Sequence, residues 1–430
     1  MRAIAFAAAG ASFGNMEVDV ATFGILVGGG PAPGINGVIG AATVTAERAG
    51  ARVIGMRQGF QWLMQGDTSH SLDLRTADVS RIHLRGGSIL QTSRANPTRE
   101  PGHLENVVKS LEQLGVDHLI TMGGDDTAYS ARCVAECAGD RIRVAHVPKT
   151  IDNDLPLPAG IPTFGFETAR ARAAEILSAL MEDARTTPRW YFVVIMGRQA
   201  GYLALGAGKS AGTTVTLIPE EFGDEAIRLD TITRTLEGAI LKRIASGRPY
   251  GVALIAEGVA EHLEPSDLEL LAEIERDEHG HIRLAEVPLG RVLKEQVRAV
   301  LQERGVNTTI IEKDVGYELR CIDPCAFDQD YTRDLGAGAV RALLNGESQV
   351  LITRQAEAIV PVPFADLVDS ETGRTSVRPV DISSDAFKIA RALQIRLEAA
   401  DFDDADFVEA FAKAGNLAPK QARERFQGVI

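Results

Sequence analysis

The sequence predicts an α/β protein with two Rossmann-like domains, each a three-layer sandwich around a mostly parallel sheet, followed by a helical C-terminal region. Short apolar runs alternate with helical patterns over roughly 300 residues, which is the order of successive βαβ units. Glycine-rich or acidic turns follow several of these runs, and ligands of open α/β sheets collect at such strand ends. The length of 430 residues allows two or three domains. We therefore expect an active site in the cleft between two sheets.

The first part of the chain repeats strand and helix in the order of a parallel sheet. Strands are predicted at residues 23–27 and 53–56 and at two runs ending at residues 122 and 147, and helices at residues 35–49, 104–114 and 126–137. Right-handed crossovers would place these helices against the faces of the sheet. We assign residues 19–162 to this N-terminal domain. Residues 1–18 are expected to be a disordered leader, with Met16 as an alternative start.

A second α/β unit is predicted over residues 163–312. It contains a long helical stretch at residues 167–185 and apolar strands at residues 190–196, 213–218 and 250–256. Residues 260–290 are charged, so we expect them at the periphery. The C-terminal segment, residues 313–430, is expected to return to the cleft at residues 317–320. After that it is expected to be mainly helical, with helices at residues 333–344 and 384–399.

Composition and charge narrow the classes of function. The formal net charge of −14 argues against nucleic acid or an anionic membrane as the main partner. Aromatic residues make up 5% of the chain, too few for base-stacking platforms. The four cysteines lack the spacing of a zinc site, so reduced thiols in a cytoplasmic protein are expected. No segment approaches the roughly 20 apolar residues of a membrane span.

Two segments at predicted strand ends carry the residue types of a phosphoryl-transfer site. Residues 123–126 combine two glycines, which admit a phosphate, with two aspartates; residues 148–154 add a lysine and two more aspartates. Carboxylates can hold magnesium or take a proton from an alcohol, and lysine can neutralise a phosphate in flight. Asp152 and Asp154 are two apart, which would place both on one side of an extended segment. A glycine-rich turn at residues 28–34 could cradle a phosphate.

Each of these segments also has a purely structural interpretation. Residues 28–34 could form only a tight turn, and residues 150–154 could be a solvated acidic loop. An aspartate in residues 123–126 could be the N-cap of a helix that begins at Thr127. Three arginines near predicted strand ends or loops suit a phosphate monoester, although each alone could be a surface charge: Arg189, Arg198 and Arg320.

Taken together and in order, the motifs resemble the phosphofructokinase family, and specifically its pyrophosphate-dependent branch. The resemblance runs from Phe23 to Leu335. Any single match is weak, whereas the ordered set is highly specific. The matching segments are residues 28–36, 86–94, 123–126, 148–154, 196–198, 256–258 and 317–320.

The resemblance implies a role for each matching residue. Asp125 would bind Mg²⁺, and Asp152 would be the general base for the 1-hydroxyl of a sugar phosphate, with Asp126 and Lys149 as the other catalytic residues. The donor would be bound by Gly29, Gly30, Arg94 and Gly124. The sugar phosphate would be bound by Thr150, Ile151, Asp152, Asp154, Arg189, Met196, Gly197, Arg198, Glu257, Tyr317 and Arg320. Arg189 would reach the sugar phosphate of a neighbouring subunit, which implies a homodimer or homotetramer.

Two positions indicate pyrophosphate as the donor. ATP-using members of the family typically have glycine where Asp126 and Lys149 stand. A carboxylate at position 126 would occupy and repel the space of a nucleotide α-phosphate, and a lysine at position 149 would neutralise the departing phosphate. Two further departures from the ATP-type pattern fit the same branch: Pro31 in place of an aspartate and Tyr317 in place of a histidine. An arginine of that pattern would fall near Ile311, where Lys313 could substitute for it.

The sequence therefore predicts a cytoplasmic, magnesium-dependent enzyme that transfers a phosphoryl group reversibly from pyrophosphate to the 1-hydroxyl of fructose 6-phosphate, in glycolysis or gluconeogenesis. No nucleic acid or membrane partner is expected. Three alternatives stay open: sedoheptulose 7-phosphate as the acceptor, ATP as the donor, and a non-catalytic regulatory subunit that only binds sugar phosphate. The presence of Asp125, Asp152 and Arg198 argues against the last, because a subunit that only binds needs no base.

Overall fold

A computed structural model describes residues 20–223, 226–268, 288–369 and 372–429, so the predicted leader lies outside the described residues. The described strands form two sheets. In chain order they are β1 (Thr22–Val27), β2 (Arg52–Met56), β3 (Ser71–Asp73), β4 (His118–Gly123), β5 (Arg143–Thr150), β6 (Phe164–Gly165), β7 (Trp190–Ile195), β8 (Val215–Leu217), β9 (Gly251–Ala256), β10 (Ile310–Val315), β11 (Val350–Gln355) and β12 (Ala358–Pro363).

The larger sheet has the strand order β12-β11-β5-β4-β1-β2-β3, with β6 beside β5. Its central strands are parallel, whereas the pairs β2–β3 and β11–β12 are antiparallel. The smaller sheet has the order β10-β7-β9-β8, and its pairs are parallel. Every residue of β4 and of β7 is buried, as expected for central strands that are covered on both faces.

Helices connect the strands and cover the faces of both sheets. The helices that the structure describes are α1 (Ile35–Arg48), α2 (Thr76–Val79), α3 (His103–Gln113), α4 (Asp125–Ala138), α5 (Phe166–Thr186), α6 (Tyr202–Ala211), α7 (Leu229–Ala245), α8 (Pro265–Leu268), α9 (Leu289–Glu303), α10 (Tyr317–Arg320), α11 (Ala326–Leu344), α12 (Asp385–Ala392), α13 (Ala405–Ala414) and α14 (Pro419–Phe426).

Successive residues of the central strands pack against helices on opposite faces of the sheet. Ile120 belongs to the core cluster that includes α1 and α11, and Leu119 to the cluster that includes α3 and α4. In the smaller sheet, Phe192 packs in the cluster with α7 and α9, whereas Val193 packs with α5 and α6. Each sheet is therefore the middle of three layers, which confirms the predicted α/β fold with its helical C-terminal region. The domain limits at residues 162 and 312 remain predictions.

The region after residue 333 contains a β-hairpin that the sequence analysis did not predict. Strand β11 lies parallel to β5, with Val350 opposite Ala145, so the chain returns to the larger sheet. Helix α12 ends at Ala392 rather than at residue 399, because the chain then lies beside β8, where Ile395 donates a backbone hydrogen bond to Thr214 at 2.8 Å. Strand β10 was also missed, since its polar residues make it unlike the buried strands.

A buried carboxylate connects the helices of the two sheets. Asp328 of α11 is fully buried and accepts hydrogen bonds from the backbone N–H groups of Gly165 and Thr168, both at 2.9 Å. These N–H groups lie at the beginning of α5, where a negative charge is favourable. The contact holds α11, which packs on the larger sheet, against α5, which packs on the smaller one.

Candidate functional site

The turns that follow six strands meet between the two sheets. In the larger sheet Met122 pairs with both Val27 and Val147, so the carboxyl ends of β1, β4 and β5 lie side by side. In the smaller sheet Ile195 pairs with Ala256, and β10 lies on the other side of β7, so the carboxyl ends of β7, β9 and β10 are also adjacent. Side chains from the two edges contact each other, which defines the candidate site.

The turn after β1 presents backbone to two cations. Gly28 is tightly packed, because a Cβ there would stand 2.5 Å from the hydroxyl of a threonine in α4. Gly29 has a φ of 75°, which favours glycine, and a Cβ on it would lie 3.5 Å from Nζ of Lys149. A Cβ on Gly30 would lie 3.5 Å from Cζ of Arg320. Glycines here leave room for an anion between the turn and these positive charges.

Lys149 is buried at the end of β5, and its ammonium donates a hydrogen bond to the carbonyl oxygen of Gly30. Burial lowers the pKa of Lys149 to about 8, and the positive charges of Arg320 and Arg94 act in the same direction. The carboxylate of Asp152 opposes them. The structure thus brings three cations together beside the glycine turn, as a site for a highly charged anion requires.

The loop that carries Asp152 and Asp154 is not extended. Asn153 has a φ of 59°, so strict alternation does not apply, and that part of the sequence interpretation is wrong. The N–H of Asp152 instead donates to Oγ1 of Thr150 at 3.0 Å. Asp154 is only 7% exposed, which excludes a solvated acidic loop.

The buried carboxylates lie close enough to repel one another, which favours binding of a proton or a cation between them. Burial raises the pKa of Asp154 to about 8, and the charges of Asp152 and Asp125 raise it further. Burial also raises the pKa of Asp152, although Arg320 and Arg198 oppose the effect. A raised pKa makes a carboxylate a stronger base, which suits Asp152 to accept a proton.

Asp125 and Asp126 occupy the first turn of α4, whose N-cap is Gly124. The alternative in which an aspartate caps a helix beginning at Thr127 is therefore wrong, because the helix begins two residues earlier. Arg198, which follows β7, places Nη2 at 3.9 Å from Oδ2 of Asp125 and so links the two sheets. Burial opposes the charged form of Arg198, but Asp125 and other nearby carboxylates raise its pKa.

A cavity of about 690 Å³ adjoins this cluster. Asp125 and Asp126 line it, together with Arg99. Its far wall belongs to the C-terminal segment and includes Arg374 and Thr375, the latter donating a hydrogen bond to the backbone oxygen of Asp125 at 3.3 Å. The cavity is large enough for an anionic substrate, and Asp126 is one of its acidic lining residues.

Several of the residues predicted to bind a sugar phosphate lie at the strand ends of the smaller sheet, and the others end or follow β5 or precede β7. Met196 and Gly197 follow β7, Glu257 follows β9, and Tyr317 and Arg320 belong to α10. The N–H of Gly197 donates to Oε1 of Glu257 at 3.2 Å, and burial raises the pKa of Glu257 to about 8. The guanidinium of Arg320 lies 5.3 Å from the ring of Tyr317, which is 62% exposed.

Two of the predicted residues lie apart from this cluster. Arg189 precedes β7, at the opposite end of the strand from Gly197, and its Nε donates to the carbonyl of Thr187 at 3.1 Å. A role in the site of a neighbouring subunit stays a prediction. Ile151 is 4% exposed and packs in an apolar core cluster, so its side chain is directed away from the polar residues.

The C-terminal segment 372–380 contributes contacts that the sequence analysis missed. Arg378 hydrogen-bonds to Asn153, which stands 225 positions earlier in the chain. No local pattern indicates such a contact. The segment does carry two arginines, Arg374 and Arg378, where the helical pattern is interrupted, and this is a weak signal of a binding role.

The carboxylates of the site fit a divalent cation whose remaining ligands come from the substrate. Among the described residues, no group of three or more His, Cys, Asp or Glu side chains is arranged to hold a metal ion alone. Mg²⁺, however, is commonly bound by one or two carboxylates and the oxygens of substrate phosphates. The mutual repulsion of Asp125, Asp152 and Asp154 would be relieved by such an ion.

The sequence of the chain is similar to those of known proteins. A family model described as Phosphofructokinase matches residues 22–343. Two similar relatives are named pyrophosphate–fructose 6-phosphate 1-phosphotransferase. The one from Naegleria fowleri is 48% identical over 421 residues, with 96% of each chain covered. The one from Thermotoga maritima is 49% identical over 408 residues, covering 94% of this chain and 97% of the relative.

Among more distant relatives, some are named for pyrophosphate as the phosphoryl donor and others for ATP. The ATP-dependent 6-phosphofructokinase of Mycobacterium tuberculosis is 32% identical over 347 residues, covering 80% of this chain and 94% of the relative. Among solved structures, the pyrophosphate-dependent phosphofructokinase of Marinobacter aquaeolei matches with a TM-score of 0.65 and 17% identity over 91% of each chain, a likeness that concerns the fold.

Proposed function

The chain belongs to the phosphofructokinase family, and we propose that it transfers a phosphoryl group from pyrophosphate to the 1-hydroxyl of fructose 6-phosphate, giving fructose 1,6-bisphosphate and phosphate. The two relatives that are 48% and 49% identical to it carry the name of this activity. Because the bonds broken and formed are of similar energy, the reaction is readily reversible and would serve glycolysis or gluconeogenesis.

The observation that carries the donor assignment is the pair formed by Lys149 and Asp126. The buried ammonium of Lys149 lies against the glycine turn, where the departing phosphate would need neutralisation. Asp126 lines the adjoining cavity, so a nucleotide extending into it would meet a negative charge. Both residues favour the smaller donor over ATP.

The chemistry that the protein must supply is alignment, proton removal and neutralisation of charge. Asp152 is the proposed general base: its buried carboxylate would accept the proton of the 1-hydroxyl as that oxygen attacks the phosphorus. Lys149 would neutralise charge on the departing phosphate, and Arg198, which contacts Asp125 across the cleft, would help to bind the sugar phosphate beside it. A magnesium ion held by Asp125 would neutralise the oxygens of pyrophosphate when bound.

The sugar phosphate would bind at the smaller sheet. Arg320 offers a guanidinium beside the exposed ring of Tyr317, and the two together form one side of an open pocket. With a pKa raised to about 8, Glu257 is largely protonated at neutral pH and could donate a hydrogen bond to a sugar hydroxyl. Arg189 would act on the site of a neighbouring subunit, which supports a homodimer or homotetramer.

We propose that the enzyme acts in the cytoplasm. The four cysteines are free thiols, which is the usual state in the cytoplasm. None of the described helices combines the length and the apolar composition of a membrane span.

The function is tested by ³¹P NMR of purified protein with Mg²⁺, pyrophosphate and fructose 6-phosphate. We expect the pyrophosphate signal to be replaced by those of phosphate and a second sugar phosphoester. A parallel reaction with sedoheptulose 7-phosphate ranks the acceptors. Sugar phosphate binding without any transfer would instead support a regulatory subunit and overturn the proposal.

A further inference from the structure

Arg378 lies against the loop that carries the proposed base. Its guanidinium donates to three backbone carbonyls of this loop at 2.9, 3.3 and 3.0 Å, those of Asn153, Leu157 and Ile161. It also donates to Oδ1 of Asn153 at 2.6 Å, and its own backbone N–H donates to the carbonyl of Asp154 at 2.7 Å. One residue of the C-terminal segment thus hydrogen-bonds to four residues of the loop, which span positions 153 to 161.

The conformation of the loop requires such a partner. Asn153 adopts a left-handed backbone conformation with a φ of 59°, which a single asparagine tolerates at some cost. Its side-chain oxygen accepts a second hydrogen bond from the N–H of Thr163 at 3.0 Å. Buried carbonyls need donors, and a guanidinium supplies five N–H groups in one rigid plane.

Arg378 is itself held from the side of the smaller sheet. Its guanidinium lies 5.4 Å from the ring of Tyr202 in α6, a distance at which the cation and the ring attract each other. The hydroxyl of Tyr202 donates to the carbonyl of Pro379 at 2.9 Å. Arg378 therefore connects the loop at the end of β5 to a helix of the other sheet.

We propose that Arg378 is a positioning residue for the transfer reaction: through the loop it holds the carboxylate of Asp152 near Lys149, which contacts the glycine turn. This inference rests on the proposed function. Misplacing a catalytic group by about 1 Å can cost on the order of 100-fold in rate without a loss of substrate binding. The C-terminal segment would accordingly be part of the active site rather than a peripheral extension.

The test compares Arg378→Met and Arg378→Lys with the wild-type protein by steady-state kinetics, normalised to the folded fraction. We expect Arg378→Met to lower kcat at least about tenfold while KM for each substrate changes less than about threefold, because the cations proposed to bind the phosphate groups, such as Arg198 and Arg320, lie outside this loop. Arg378→Lys should retain an intermediate kcat, since lysine keeps the charge but has three donors and no planar fork. Unchanged kcat per folded molecule, or a change in KM alone, would overturn the proposal.

Arg396 provides a matched control from the same C-terminal region. It is 5% exposed and its guanidinium contacts Glu221 and the carbonyl of Thr216, away from the loop. Arg396→Met should lower the thermal midpoint but leave kcat near the wild-type value. If Arg396→Met lowered kcat as much as Arg378→Met, the effect would be general destabilisation and the proposal would be wrong.

Amide hydrogen exchange tests the loop independently of activity. Arg378→Met should accelerate exchange within residues 152–163, and Arg396→Met should not. Unchanged exchange in this loop would contradict the positioning role. Wild-type protein that transfers nothing from pyrophosphate would remove the proposed function, while the exchange data would still decide whether Arg378 holds the loop.

Discussion

Replacing Glu257 by glutamine should change how the stability of the protein depends on pH. Glu257 is 8% exposed, and burial raises its pKa from an ordinary value of 4.5 to about 8. A carboxyl whose pKa is higher in the folded state contributes stability that is fully present below pH 4.5 and is lost as the pH rises through about 8. Since one pKa unit corresponds to about 1.4 kcal/mol, the ionised group costs up to about 5 kcal/mol at high pH.

The assay is urea denaturation of the metal-free and substrate-free protein at pH 5 and at pH 8. Glutamine has the same shape, and its carbonyl can accept the hydrogen bond from Gly197. We therefore expect Glu257→Gln to lie within about 1 kcal/mol of the wild type at pH 5 and to be more stable by about 2–5 kcal/mol at pH 8. Glu303→Gln, at an exposed position at the end of α9, controls for the loss of one acidic side chain. Equal differences at the two pH values would refute the reasoning.

Three further predictions concern the reaction. Asp152→Asn should lower kcat by roughly 10²–10⁴-fold with little change in the affinity for fructose 6-phosphate, because the base acts in the transition state; near-normal turnover would show that another group removes the proton. Arg198→Ala and Arg320→Ala should each weaken sugar phosphate binding by roughly 2–4 kcal/mol, measured by KM and by titration calorimetry, and an unchanged KM in both would exclude them as ligands. The double change Asp126→Gly with Lys149→Gly should gain measurable turnover with ATP and lose most activity with pyrophosphate, as steady-state rates with the two donors would show; a double variant that kept its preference would rule out this pair as the determinant.

The parallel core and the position of the site could be predicted from the sequence because both have local signals. Apolar runs such as residues 190–196 are continuous where a strand is covered on both faces, and the structure places β7 there. The glycines and aspartates of residues 123–126 follow such a run directly. Carboxyl ends of neighbouring parallel strands meet, so these residues and Lys149 were expected together.

The features that the sequence did not predict depend on contacts between distant parts of the chain. The hairpin β11–β12 joins β5 from about 200 positions away in sequence, as the pairing of Val350 with Ala145 shows. The left-handed conformation of Asn153 cannot be read from its neighbours, because tertiary hydrogen bonds to Arg378 stabilise it. The polar, partly exposed strand β10 resembles a loop in sequence and forms only beside β7.

The central claim is that this chain uses pyrophosphate rather than ATP, and the direct test is kcat/KM of the unmutated protein for each donor with Mg²⁺ and saturating fructose 6-phosphate. Two like charges about 4 Å apart near a protein surface repel by roughly 4 kcal/mol, so Asp126 alone should lower the use of ATP by about three orders of magnitude. We predict rapid turnover with pyrophosphate and at least that deficit with ATP. Comparable kcat/KM values for the two donors would contradict the account.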